Sequence, residues 1–149
     1  MSLRPDRLTL KSQEALQDAQ ATAQQAGNPE VTPLHLLSSL CRQPEGIVVP
    51  VLDRLGASPG AVSAAAAERL SSLPRVQGGT APAASRALSE LFRAAEKAAA
   101  EFQDEYVSTE HFLLALARGS GEAPEVLRRF GATPGESWPL SARSAAPPA

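Results

Sequence analysis

Small and apolar residues recur along this chain at the spacing of a helix face. Ser12, Ala15, Leu16, Ala19, Ala23 and Ala26 share one face of a run opened by Thr9, a good N-cap residue, and closed by Gly27-Asn28-Pro29. A second run, opened by Ser85, sets Leu88, Leu91, Phe92, Ala95, Ala99 and Phe102 on the same stripe with larger side chains. Shorter runs follow each: Leu36, Leu37 and Leu40 after Thr32-Pro33, and Phe112, Leu113 and Leu116 after Ser108. Pro33 stands at the first helical position, where its missing N–H costs nothing. Third helices are predicted to start near Pro50 and Pro124 and to stop at Gly56 and Gly131, residues suited to a left-handed cap. Ser58-Pro59 and Thr133-Pro134 each open a fourth, the first running through Val62, Ala65 and Leu70 to Leu73-Pro74.

These elements come twice. Val51-Leu52-Asp53-Arg54-Leu55-Gly56-Ala57-Ser58-Pro59-Gly60 is answered by Val126-Leu127-Arg128-Arg129-Phe130-Gly131-Ala132-Thr133-Pro134-Gly135, 75 positions on, and His35 by His111, 76 positions on. A near-constant offset over the whole unit marks two tandem copies of one structure. The predicted fold is all-α: two four-helix repeats related by a pseudo-twofold axis, with the last helix truncated or missing. Repeat one covers about residues 8–74, a connector 75–84 and repeat two 85–140, making one domain over 4–140. The Pro- and Ala-rich residues 141–149 carry no helical stripe and read as a linker or disordered tail.

Composition narrows the function classes. With 149 residues the chain can bury one core, and with 4% aromatic residues and abundant alanine it favours helices over strands. A net charge of −2 offers no cationic excess for phosphates, so neither nucleic acid nor a membrane surface is an expected partner. No apolar run approaches the roughly 20 residues of a membrane span, and a cytoplasmic location is expected. Cys41, the single cysteine, cannot form an internal disulfide and reads as a buried thiol.

No catalytic constellation emerges. Lys11 and Lys97, the only lysines, lie within predicted helices without a Gly-rich phosphate loop, and no Gly-x-Ser-x-Gly elbow is present. His35 and His111 hold the third position of equivalent helices, which suits end-capping better than metal ligation. No metal and no cofactor are expected. Asp104, Glu105 and Glu110 gather before and within a helix start; repeat one has Leu34 where repeat two has Glu110, so the fold does not demand that charge. It marks a candidate binding surface.

Asp6-Arg7-Leu8-Thr9, Val31-Thr32-Pro33-Leu34-His35-Leu36-Leu37, Gln43-Pro44-Glu45-Gly46, Leu73-Pro74-Arg75-Val76-Gln77-Gly78 and Val107-Ser108-Thr109-Glu110 together resemble the N-terminal domain of the ClpB (Hsp100) disaggregases, over about residues 4–136. The resemblance implies a non-catalytic domain that captures exposed apolar segments of unfolded or aggregated polypeptides for AAA+ rings, which this chain lacks. It also implies that Thr9, Asp104 and Glu110 take part in aggregate handling, and that an apolar groove involves Ala94 and His111. The alternative within the wider family is an N-domain of the ClpC or ClpA type that docks an adaptor protein. Its doubled Thr-Glu-His motif occurs here only as Thr109-Glu110-His111, against Pro33-Leu34-His35. A free-standing helical hydrolase is the remote third reading.

Overall fold

The computed structural model describes residues 5–76 and 81–133. A short 3-10 turn, Pro5–Arg7, leads into α1 (Leu10–Ala26), β1 (Glu30–Val31), α2 (Pro33–Arg42), α3 (Val48–Arg54) and α4 (Pro59–Leu70). Repeat two restarts the order with β2 (Ala83–Ala84), α5 (Arg86–Glu101), α6 (Thr109–Arg118) and α7 (Glu122–Arg129). The fold is mostly helical, as the stripes predict. The sequence-predicted eighth helix, the Gln77–Thr80 part of the connector and the tail lie outside the described residues.

α2 and α6 form the centre. α1 and α4 pack on α2, α5 and α7 pack on α6, and the two central helices touch each other. Both are buried on nearly every side, including Ser38 and Ser39 of α2 and the whole of Thr109–Ala117 in α6. Phe92 and Phe112 meet in this core with ring centroids 6.2 Å apart. The predicted stripes of α1 and α5 face inward, with Leu16 and Phe102 only partly covered. Cys41 is also partly covered; burial pushes its thiol up to about 11, with the Arg42 charge acting against that, so it stays protonated at neutral pH.

Helix boundaries differ from expectation at three points. α3 begins at Val48 and α7 at Glu122, so Pro50 and Pro124 sit at the third helical position. The first four N–H groups of a helix lack an internal partner, and a proline there breaks no bond. α4 stops at Leu70 rather than reaching Leu73.

Two short parallel pairings tie the repeats together, and neither was expected in an all-helical chain. Val31 of repeat one pairs with Ala84, and Leu8 pairs with Val107 of repeat two. The two are symmetric, because Leu8 and Ala84 are equivalent positions, as are Val31 and Val107. Thr9 N–H donates to Val107 O (3.2 Å) as Ser85 N–H donates to Val31 O (2.9 Å). Each repeat is thus closed by the lead segment of the other.

The turn after the long helix shows what the repeats hold in common. α1 ends on Gly27 at φ +75°, with Asn28 N–H returning to Ala23 O at 2.9 Å. α5 makes the same turn on Gln103 at φ +58°, with Asp104 N–H returning to Ala99 O at 2.8 Å. A side chain in this left-handed region costs about 1 kcal/mol relative to glycine. Gln103→Gly is therefore expected to stabilise the protein by about 1 kcal/mol. Urea unfolding should show a raised midpoint at unchanged slope, and an unchanged or lower midpoint would contradict the strain.

Candidate functional site

Both histidines work as caps. In α2 the Thr32 N–H donates to His35 Nδ1 (2.9 Å), which leaves the proton on Nε2 to donate to Asn28 Oδ1 (3.0 Å). In α6 the Ser108 N–H donates to His111 Nδ1 (2.8 Å), and Nε2 faces Asp104 Oδ2 at 2.8 Å. A backbone N–H can only donate, so each ring is held as the Nε2–H tautomer. The rings are almost wholly buried, at 1% and 3% exposure. Burial lowers the His35 pKa from its ordinary value, since a charged ring would lose water and meet an amide donor at Nδ1.

The partner of each ring lies seven residues upstream, beyond a turn, and here the copies part. Asn28 turns its amide nitrogen to Pro74 O at 3.0 Å, whereas Asp104 has only acceptors to offer. Asp104 borders a cleft of about 200 Å³ in which Arg7, Glu96 and Glu105 stand around a floor that includes Ala99 and Val107. Arg7 Nε donates to the Glu105 carbonyl at 3.2 Å, fixing the lead segment of repeat one to this rim.

The sequence-predicted site residues fall in different places. Thr9 caps α1 by accepting from Ser12 N–H (3.2 Å), and Ser12 Oγ donates to Val107 O at 2.9 Å. Thr9, Val107, Asp104 and His111 therefore form one connected group. Glu110 lies below the surface at 4% exposure, in the place that Leu34 fills in repeat one, so it offers no open carboxylate to a large ligand. His111 is likewise covered. Ala94 is exposed on α5, outside the lining of the cleft.

Arg7 and Glu96 were not among the predicted site residues. Aligning the copies supplies the missing signal, since Glu96, Asp104 and Glu105 correspond to the uncharged Gln20, Asn28 and Pro29. Two exposed apolar side chains lie on the adjoining segments: Leu10, one residue after Thr9, and Tyr106, between Glu105 and Val107, at 75% and 38% exposure. Their counterparts in repeat one and repeat two exchange apolar for charged, Arg86 for Leu10 and Glu30 for Tyr106.

Among the described residues no three His, Cys, Asp or Glu side chains converge as a metal site would, and no helix is long and apolar enough to cross a membrane. The fold is a double helical repeat in which this acidic cleft differentiates the two copies, and its helical architecture is that of a Clp N-domain. Residues 7–130 match the Clp repeat (R) N-terminal domain, and the chain belongs to that family. It is 42% identical over 127 residues to the chaperone protein ClpB of Corynebacterium diphtheriae, a match covering 84% of this chain and 15% of that protein. The chain thus spans only a small part of the length of the curated relatives it matches. The N-terminal domain of Hsp104 from Candida albicans shares the fold with a TM-score of 0.79 at 19% identity, over 93% of each chain. A ClpV N-domain solved in complex with a VipB peptide aligns with a TM-score of 0.70 at 27% identity, over 85% of this chain and 81% of that one.

Proposed function

We propose that this chain is a non-catalytic substrate-recognition domain of a ClpB-type disaggregase, holding exposed apolar segments of unfolded or aggregated polypeptides for AAA+ rings. One observation carries the reading: Leu10 and Tyr106 are exposed on the two chain segments that also supply the cleft residues Arg7, Glu105 and Val107, at positions where the other repeat is charged. The fold tolerates a charge at either position, so the apolar choice is free to serve a ligand. ClpB relatives at about 40% identity and the peptide bound by a related ClpV N-domain support it. A shallow, half-polar site gives weak capture, which suits a domain that must release its cargo.

Thr9, Asp104 and His111 organise this face in the reading, whereas Ala94, about half a turn round α5 from Glu96, Ala99 and Ala100, rests on the family resemblance alone. Glu110 acts from below by shaping α6. Resonance shifts on titrating the isotope-labelled domain with a permanently unfolded apolar polypeptide test the proposal. Shifts centred on Leu10, Asp104 and Tyr106 are expected. Response only to an adaptor protein would move the assignment to the ClpC or ClpA type, and absence of any response would overturn both.

A further inference from the structure

Repeat one shows what lies against the turn after its long helix. Val76 N–H donates to Gly27 O at 2.8 Å and Asn28 Nδ2 donates to Pro74 O at 3.0 Å, so the non-helical segment Pro74-Arg75-Val76 is held by its main chain. The contact is close, because a Cβ on Gly27 would meet Val76 O at 3.2 Å and Arg75 Cβ at 3.8 Å. Repeat two presents the same turn in the same conformation at Gln103-Asp104, beside the cleft. Its chemistry is reversed. Where Asn28 donates to a carbonyl, Asp104 can only accept, and neutral Gln20 and Pro29 become Glu96 and Glu105.

We propose that the cleft beside Gln103-Asp104 docks a non-helical polypeptide segment through the Gln103 carbonyl and seats a lysine or arginine of that segment against Glu96, Asp104 and Glu105. Three acidic residues and one basic residue, Arg7, line the cleft, and although Asp104 holds His111 through Oδ2 the balance of charge favours a cation. Ala99 and Val107 in the floor suit the aliphatic stem of a basic side chain, and the carboxylates suit its head. The internal segment supplies the template: main-chain bonding to the turn carbonyl, with a basic residue in the middle. The inference rests on the polypeptide-recognition reading and refines it, since the preferred segments carry a basic residue beside their apolar ones.

The test uses a blocked Leu-Pro-Arg-Val-Gln peptide and versions with alanine or glutamate in place of the arginine, titrated into the labelled full chain. A permanently unfolded apolar polypeptide is titrated in parallel. The arginine peptide should shift the amides of Ala100, Gln103 and Glu105 and bind about fivefold more tightly than the alanine version, with the difference shrinking as salt is raised to about 0.5 M. A Glu96→Gln/Glu105→Gln variant should lose this preference and keep its melting temperature. Equal binding of the arginine and alanine peptides, shifts away from this cleft, or a preference that survives in the variant would overturn the proposal. No arginine-peptide binding alongside intact binding of the apolar polypeptide would overturn it and leave the broader reading standing. Silence from both ligands would remove both.

Discussion

Phe112→Ala should cost about 3–5 kcal/mol and lower the melting temperature by roughly 10–20 °C. The side chain is fully buried in the central helix α6 and packs on Phe92 of α5, so alanine leaves a void walled by rigid helices that cannot close around it. Domains of this size have about 5–15 kcal/mol in total, and a loss of that order threatens folding at physiological temperature. Phe112→Leu provides the control. Leu36 occupies the equivalent place in repeat one, also fully buried, and shows that the scaffold accepts leucine there. Its cost should stay within about 1.5 kcal/mol. Thermal unfolding of the pair decides the matter: an alanine variant within 1 kcal/mol or so of the parent would mean that the helices do collapse onto the site.

His35→Ala should be nearly as damaging, at about 3 kcal/mol, through unmade bonds as well as lost volume. It strips the acceptor from Thr32 N–H and the donor from Asn28 Oδ1. Asn28 also holds Pro74, so amide exchange at Val76 should accelerate along with that at Thr32. The same ring sets a pH response. Its folded pKa is depressed by burial, so its contribution is complete above the unfolded value of about 6.5 and is lost as pH falls through 6.5 toward the folded pKa. The parent should therefore weaken over that acid range more steeply than the alanine variant. Parallel stability profiles for the two would show that another group governs the response.

Much of this architecture is local and so could be read from the sequence. The caps Thr9 and Ser85, the glycines Gly56 and Gly131, and the histidines three residues into α2 and α6 each act within a turn or two of chain. The parts that stayed hidden join distant residues. A two-residue strand such as Glu30–Val31 is too short to show alternation, and its partner lies in the other repeat. Glu110 stood out as a charge that repeat one lacks, but its burial depends on the fold, since α6 is covered on nearly every side. Asp104 was found through its neighbours in sequence, yet its pairing with His111 across a turn and its shared cleft with Glu96 and Arg7 need the fold.

Comparing the two copies recovered part of what periodicity missed. Thr9 is matched by Ser85 in the same capping role, so its first duty is structural and any effect of Thr9→Ala on binding includes a cap loss of about 1 kcal/mol. Glu96, Asp104 and Glu105 have no charged match, which sets their charges apart as ones the fold does not require.

The reciprocal pairings of Leu8 with Val107 and Val31 with Ala84 bear on how the chain is made. Repeat one leaves the ribosome first, but Leu8 has no strand to join until Val107 has been synthesised. The first half must wait with its lead segment undocked, and cutting the gene at the connector would yield two pieces that each lack a closing edge. Duplication has here produced a unit that cannot be divided again.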